Sequence, residues 1–424
     1  MSQHAAHKLR TLWLAGILHA FTHLYQMAII PLYLRIREDL HLPSEGDATL
    51  LVTLYNVAYV LPSYGMGVLA DKISRKKMLS LGLLINALGF VGLALSPNYP
   101  CALASVIVGG FGGSFYHPAA IALVARLFPV KTGRALGLVA IGASLGFFVS
   151  PIYSGWRAAS TGNWRSPILE FGILGVVFAI VFHWLAEEES APEKQSSPKV
   201  VSAPIFPTPA LWMFFLGSAF FFSLRDFAGA AMGSLGSLFL QKARGMDIRT
   251  TGALLSCIFL ASAFSNPLFG RWSDGNRLRW LVRLLITSAL LVAVFPHVPA
   301  AWMSGIFLAY GFFFLATYPI NEAALMESVP DAVRGRAYGI FITFGGLTGS
   351  LAHWLSGVAV DKMGANATRA ENYFPIYAGL AGLIILSTLG IPCFHAIRRR
   401  EDLQGSFAHS GGNEALSKGK AVAQ

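Results

Sequence analysis

The sequence predicts an all-α membrane protein in which twelve transmembrane helices form two pseudosymmetric six-helix bundles. Three observations predict this fold: an apolar composition, twelve long apolar runs and an internal repeat. Of the 424 residues, 54% are hydrophobic and 12% are charged. Because ordinary soluble domains contain roughly 25% charged residues, this composition excludes a typical soluble fold and fits a chain that crosses the bilayer many times.

The apolar runs define the predicted spans. A helix that crosses a membrane needs about 20 largely apolar residues, and the chain contains twelve such runs bounded by charge, proline or glycine. The first run is predicted to be a retained helix, because it is too long and polar for a signal peptide and lacks a small-residue cleavage site. The predicted spans are residues 11–34, 48–70, 78–96, 99–126, 133–156, 164–186, 210–240, 250–270, 280–297, 299–326, 335–360 and 372–395.

The net charge of +11 is distributed unevenly between the loops. Most of the 32 lysines and arginines lie in the terminal segments and in alternate loops. Positive residues collect on the cytoplasmic side of membrane proteins, so a multi-pass protein of a bacterial-type inner membrane with both termini cytoplasmic is predicted. The charge therefore reports topology, and no nucleic-acid partner is expected. The three cysteines have no paired spacing, so neither a disulfide nor a metal site is predicted.

Two halves of the chain repeat short motifs. Residues 133–137, GRALG, recur as GRAYG at 335–339, an offset of 202, and Tyr116 recurs as Tyr318 at the same offset. This agreement predicts a duplicated six-helix unit. The predicted segments are an N-terminal bundle over residues 1–186, a cytoplasmic linker over 187–209, a C-terminal bundle over 210–396 and a disordered cytoplasmic tail over 397–424.

Two similar bundles around one axis enclose a cavity, and rocking of one bundle against the other alternates access to it. This architecture predicts a transporter. The sequence contains no HExxH-type catalytic cluster and no GxxxxGK[ST] nucleotide loop, so neither an enzyme nor a cofactor is predicted, and an ion gradient is the expected energy source. The expected partners are a small-molecule substrate, protons and the lipid bilayer, and the protein is expected to be a monomer.

Residues 67–76, GVLADKISRK, resemble the signature between the second and third helices of the major facilitator superfamily, with Ser74 where the family has glycine. The resemblance implies that Asp71 latches the two halves on the cytoplasmic side, with Arg75 at the membrane surface. A positive-inside anchor is the alternative interpretation. Asp274 repeats Asp71 at an offset of 203. The predicted gating residues are Gly67, Asp71, Lys72, Arg75, Lys76, Arg134, Asp274 and Arg336.

The fifth span resembles the antiporter signature of the same superfamily. Its matching residues are Gly137, Gly146, Pro151 and Gly155, and serine replaces glycine at two further positions. Small residues let helices pack closely and proline bends a helix. The resemblance implies export by antiport, and ordinary close packing is the alternative.

The N-terminal half is also similar to the fosmidomycin-resistance type of efflux protein. Residues 110–120, GFGGSFYHPAA, and the polar patch over residues 19–26 carry this similarity. The similarity implies efflux of a small organic compound.

Polar side chains inside spans are costly and are therefore candidates for function. His19, His23 and Gln26 form a polar stripe on the first span. A histidine titrates near neutral pH, which suits proton coupling, and a structural hydrogen bond is the alternative. In the fourth span, Tyr116 and His117 precede a proline and are further candidates.

Arg225 and Asp226 lie near the middle of the seventh span. An arginine keeps its charge, so Arg225 is expected to meet Asp226, another carboxylate or an anionic substrate. Adjacent residues of a helix point in different directions, so the two need not pair. Glu322 in the tenth span is a candidate proton carrier, with a structural hydrogen bond as the alternative. All three are predicted to serve substrate binding or proton coupling.

The predicted function is a proton-coupled antiporter that exports a small anionic or amphipathic, drug-like compound by alternating access. The same cavity would serve a proton-coupled symporter or exchanger that takes up an organic anion, because a fold does not determine direction. A non-transporting sensor built on a transporter fold is the third alternative.

Overall fold

A computed structural model describes residues 3–70, 72–130, 132–187, 205–329 and 334–399. Its regular structure over these residues is helical. The helices are α1 Gln3–Met27, α2 Tyr33–Asp39, α3 Glu45–Val60, α4 Ser63–Ala70, α5 Arg75–Ala94, α6 Tyr99–Gly113, α7 Tyr116–Leu127, α8 Thr132–Thr161, α9 Arg165–Leu185, α10 Pro209–Lys242, α11 Ile248–Ser273, α12 Arg277–Val294, α13 Met303–Phe314, α14 Thr317–Glu327, α15 Arg334–Met363 and α16 Phe374–Ser387. Residues 390–399, which follow α16 after a turn, are also helical.

Ten helical segments within the described residues are long and apolar enough to cross a membrane. The other two predicted spans are also helical but less regular or less apolar. The second is interrupted at residues 61–62, between α3 and α4, and the eleventh is the 30-residue helix α15, which is rich in glycine, serine and threonine. The twelve-helix fold is confirmed.

The fourth and tenth spans are each broken into two helices at matching places in the repeat. The break between α6 and α7 lies at residues 114–115, and the break between α13 and α14 lies at residues 315–316. Pro118 and Pro319 lie in the first turn of the helix that follows each break. A proline is tolerated in a first turn, because its missing N–H would have no intrahelical partner there.

The helices form two similar bundles. In the N-terminal bundle α1 packs along α8, and α5 packs between α6 and α9. In the C-terminal bundle α10 packs along α15, and α11 packs along α13. The bundles meet where α8 contacts α11 and where α3 contacts α15. The predicted linker and tail fall largely outside the described residues, so the domain boundaries stay a prediction.

The two bundles touch backbone to backbone at the face opposite the chain termini. A Cβ atom on Gly155 would overlap with the Ile248 carbonyl, and one on Gly252 would overlap with the Pro151 carbonyl. In the antiporter-like motif, Gly155 therefore lies against the other bundle. Gly146 packs against Ala20 within its own bundle, where a Cβ would also overlap with backbone.

Hydrogen bonds also connect the two bundles at the same face. The Asp361 carboxylate accepts the backbone N–H groups of Glu45 and Gly46 at 2.7 and 2.8 Å, at the first turn of α3. These amides have no partner within their own helix, so a carboxylate from the other bundle caps them. The Tyr33 hydroxyl lies 2.7 Å from the Ser234 hydroxyl across the same interface.

The helices diverge toward the face that carries the termini. A Cβ atom added to Gly137 near the start of α8, or to Gly270 near the end of α11, would meet no atom within 4 Å. The same two helices are in backbone contact at their other ends. We infer that the space between the bundles opens toward the termini.

Replacing Gly252 with alanine should lower the melting temperature of the detergent-solubilised protein, because overpacking a close contact costs about 1–3 kcal/mol. Gly270→Ala in the same helix is the matched control. It should leave the melting temperature unchanged or raise it slightly, because alanine favours a helix by roughly 0.5–1 kcal/mol over glycine. Equal effects of the two substitutions would contradict the close contact at Gly252.

Candidate functional site

A cavity of about 560 Å³ lies between the two bundles and is lined by both. A second space of about 300 Å³ adjoins it and shares part of its lining. Most lining side chains of the larger cavity are apolar or aromatic, as is usual for small-molecule sites. Its main polar lining residues are His23, Gln26, Asn56, Asp226, Glu322 and His353.

Arg225 and Asp226 form an ion pair at the edge of this space. Both Nε and Nη2 of Arg225 donate to Oδ1 of Asp226, at 3.0 and 2.7 Å. The guanidinium also lies 4.1 Å from the ring centre of Tyr318, which adds a cation–π contact. The Arg225 side chain is 3% exposed and that of Asp226 is 17% exposed. Of the three partners that the sequence left open for Arg225, the structure selects Asp226.

Gly345 allows this pair to fit. A Cβ atom on Gly345 in α15 would overlap with Oδ2 of Asp226. Glycine therefore lets α15 pass close to α10 at the depth of the ion pair. Sequence reasoning missed Gly345, because a single glycine in a glycine-rich helix carries no distinctive signal.

Glu322 in α14 lines both spaces. The Tyr338 hydroxyl donates a hydrogen bond to its Oε1 at 3.0 Å. Among the described residues, no lysine, arginine or histidine nitrogen lies within salt-bridge distance of Glu322. Tyr338 was missed by the sequence prediction, although a signal existed: it is the position at which the repeated motif changes from leucine to tyrosine.

Histidines gather in the N-terminal bundle. Nε2 of His19 lies 3.0 Å from Nε2 of His23, and Nδ1 of His23 lies 2.7 Å from Oε1 of Gln26. The His117 ring centre is 5.3 Å from that of His19, although the two come from different helices. Tyr116 stacks on His19 with ring centres 4.7 Å apart. The structure thus brings together five predicted site residues, while their assignment to substrate or proton coupling stays a prediction.

The described gating residues lie in or beside the helix ends toward the open face. Asp71 lies outside the described residues, so its role as a latch stays a prediction. Ser74 caps α5, because its hydroxyl accepts the Lys77 N–H at 3.3 Å. Asp274 is exposed and pairs at 3.0 Å with Arg277 of its own bundle. The remaining described gating residues are Gly67, Lys72, Arg75, Lys76, Arg134 and Arg336.

The family model described as Major Facilitator Superfamily matches residues 12–353. The chain belongs to the major facilitator superfamily. It resembles the uncharacterized MFS-type transporter YuxJ of Bacillus subtilis (strain 168), with 26% identity over 80% of this chain and 87% of the relative. This membership makes it a membrane transporter protein of the secondary type, which agrees with the bundles and the central cavity.

Other superfamily members similar to the chain have names that indicate different roles. The quinolone resistance protein NorA of Staphylococcus aureus (strain MRSA252) is 21% identical over 84% of this chain and 90% of the relative. The membrane sensor protein UhpC of Escherichia coli (strain K12) is 20% identical over 90% of this chain and 92% of the relative. Similarity at this level supports the family and leaves direction, coupling and substrate open.

A solved structure shares the fold. It is a bacterial homologue of the human lysosomal transporter Spinster in an inward-facing, unoccupied conformation. The TM-score is 0.72 and the sequence identity is 14%, and the match covers 94% of this chain and 98% of the chain in that structure. At this identity the likeness supports the major facilitator fold alone.

Replacing Asp226 with asparagine should destabilise the protein, because it leaves the buried Arg225 guanidinium without its anion. Breaking a buried ion pair from one side costs about 3–5 kcal/mol, so a fall of several degrees in melting temperature is expected. The double variant Arg225→Gln/Asp226→Asn removes both charges and should recover most of the loss. If the double variant melts no higher than Asp226→Asn, the pair is not the main partner of Arg225.

Proposed function

We propose that this protein is a proton-coupled antiporter that exports small amphipathic organic compounds. One observation carries the proposal: a largely apolar cavity between two bundles contains a carboxyl group, Glu322, with no cationic partner at salt-bridge distance among the described residues. A carboxyl group in such a place binds and releases protons without breaking an ion pair. Ionisable groups inside membrane spans commonly serve as proton relays.

Alternating access would work by rocking the bundles about the glycine contacts between α8 and α11. The excess of basic residues in the terminal segments and alternate loops supports cytoplasmic termini in an inner membrane. With that orientation, the open face of the structure is cytoplasmic and the state described is inward-facing. A substrate for export would enter the cavity in this state.

The lining of the cavity supports an amphipathic substrate more than an anionic one. Phe147 and Phe259 stack across the two bundles with ring centres 4.9 Å apart, and both face the cavity. The Arg225 charge is balanced by Asp226, so no substrate anion is required to neutralise it. The similarity to a protein named for quinolone resistance also favours export of a drug-like compound.

The proton step follows from the position of Glu322. When the cavity faces outward, the carboxylate takes a proton from the outer solution, and the protonated form allows the empty transporter to return inward. When the cavity faces inward, substrate binding and proton release to the cytoplasm accompany one another. The Tyr338 hydroxyl donates to the charged form at 3.0 Å and so helps the carboxylate to exist inside the protein.

Transport in proteoliposomes should test both direction and coupling. Proteoliposomes that contain the protein are loaded with one compound at a time from a panel of amphipathic and anionic compounds. A pH gradient of either sign is then imposed across their membrane. Antiport predicts that substrate moves against the direction of proton flow. Movement of substrate only in the same direction as protons would replace antiport with symport, and binding without transport for every compound would favour a sensor.

In the variant Glu322→Gln, the rate of substrate transport driven by the pH gradient should fall at least about tenfold, because the side chain no longer carries a proton. Substrate exchange without a gradient should remain, because the amide keeps the shape of the site. Glu371→Gln, an exposed glutamate of the same bundle, is the matched control and should transport like the unmodified protein. A Glu322→Gln variant that still responds fully to the gradient would remove Glu322 from the coupling step.

A further inference from the structure

The three histidines of the N-terminal bundle converge on one point. One ring nitrogen each from His19, His23 and His117 lies within 4.8 Å of the others. His19 and His23 are one turn apart on α1, and His117 lies in the first turn of α7. Because no carboxylate belongs to this cluster among the described residues, its chemistry is that of imidazole alone.

Hydrogen bonds outside the cluster determine which ring nitrogens carry protons. Nδ1 of His19 lies 3.0 Å from the Val139 carbonyl oxygen. A carbonyl oxygen only accepts, so this Nδ1 carries the proton, and a neutral ring then has its lone pair on Nε2. Nδ1 of His23 donates in the same way to Oε1 of Gln26 at 2.7 Å. The free lone pair of His23 is therefore also on Nε2.

These two lone pairs face each other. The Nε2 atoms of His19 and His23 are 3.0 Å apart, and two lone pairs at that distance repel unless a proton or a metal cation lies between them or beside them. Metal-binding histidines typically donate their other ring N–H to a carbonyl or similar acceptor, which fixes the ring and its tautomer. Val139 and Gln26 provide that arrangement for both rings.

We propose that His19, His23 and His117 bind a divalent transition-metal ion, with Zn²⁺ the best match. Neutral imidazole is a preferred ligand of Zn²⁺, with Zn–N distances of about 2.0–2.1 Å. Tetrahedral ligands at that distance are about 3.3 Å from one another. His19 and His23 are already near this spacing at 3.0 Å. The His117 nitrogen, which lies within 4.8 Å of the other two, would approach by up to about 1.5 Å to complete the set. Three protein ligands leave a fourth position open, and one of the three, His23, lines the central cavity together with Gln26.

The proposed ion would link α1 to α7 within one bundle. Tyr116 keeps the arrangement rigid, because its ring stacks on His19 and its hydroxyl donates to the Ala15 carbonyl at 3.0 Å. All ligands and supporting groups belong to the N-terminal bundle. The site therefore does not depend on the proposed direction of transport or on proton coupling at Glu322.

Metal binding is tested on the full-length protein, purified through an affinity tag that contains no histidine and stripped with a chelator. Co²⁺ is the probe, because a tetrahedral site gives it visible absorption, and Zn²⁺ should displace it. One Co²⁺ per chain is expected. His23→Gln and His117→Gln should each weaken binding at least about 100-fold, since each removes a ligand. His183→Gln, an exposed histidine at the end of α9, is the control and should bind normally.

A gain-of-affinity variant keeps the test independent of misfolding. Gln26→Glu places a carboxylate where the His23 Nδ1–H donates, and this should strengthen metal binding about tenfold or more. Zn²⁺ should also raise the melting temperature of the unmodified protein, because a ligand that binds only the folded state stabilises it. Absence of saturable Co²⁺ binding, or unchanged binding in both His23→Gln and His117→Gln, would overturn the proposal.

Discussion

The fold depends on direct backbone contact between the two bundles at one face. Gly155 and Gly252 let α8 and α11 approach so closely that any side chain at these positions would overlap with the opposite backbone. The Asp361 carboxylate then caps the free amides of α3 from across the interface. Helices that touch at one end and diverge at the other necessarily enclose a space. The central cavity is therefore a geometric result of a few close contacts.

The two bundles repeat one backbone plan but differ in chemistry. Tyr116 and Tyr318 occupy equivalent positions of the repeat, and each presents its ring to a nitrogen-containing side chain. Tyr116 stacks on His19, whereas Tyr318 lies under the Arg225 guanidinium. The N-terminal bundle thus holds imidazoles supported by carbonyl groups, and the C-terminal bundle holds an ion pair and a separate carboxyl group. The tyrosine is thus the same in both halves of the repeat, while the side chain packed on its ring differs.

The helices were predictable from the sequence because a membrane span needs a long apolar run, and such runs are visible one by one. The twelve spans follow from that local rule, whereas the breaks in the fourth and tenth spans do not. The site was only partly predictable, because polarity inside a span marks a candidate without giving its partner. His19, His23, Arg225 and Glu322 were found in this way. Gly345 could not be predicted, because its role depends on the close approach of Asp226 from another helix and no pattern in the neighbouring sequence indicates that approach.

Arg225 and Asp226 are adjacent in sequence and form an ion pair, so the membrane potential acts on both charges at nearly the same depth. Both charges belong to one turn of α10, so they travel together when the bundle rocks, and their displacement moves no net charge across the membrane. A membrane potential acts with about 2.3 kcal/mol per elementary charge per 100 mV, and this pair would feel almost none of it. If Glu322 carries the coupled proton as proposed, the voltage dependence of the cycle is set by that proton and the charge of the cargo, and measured currents report the sum of the two.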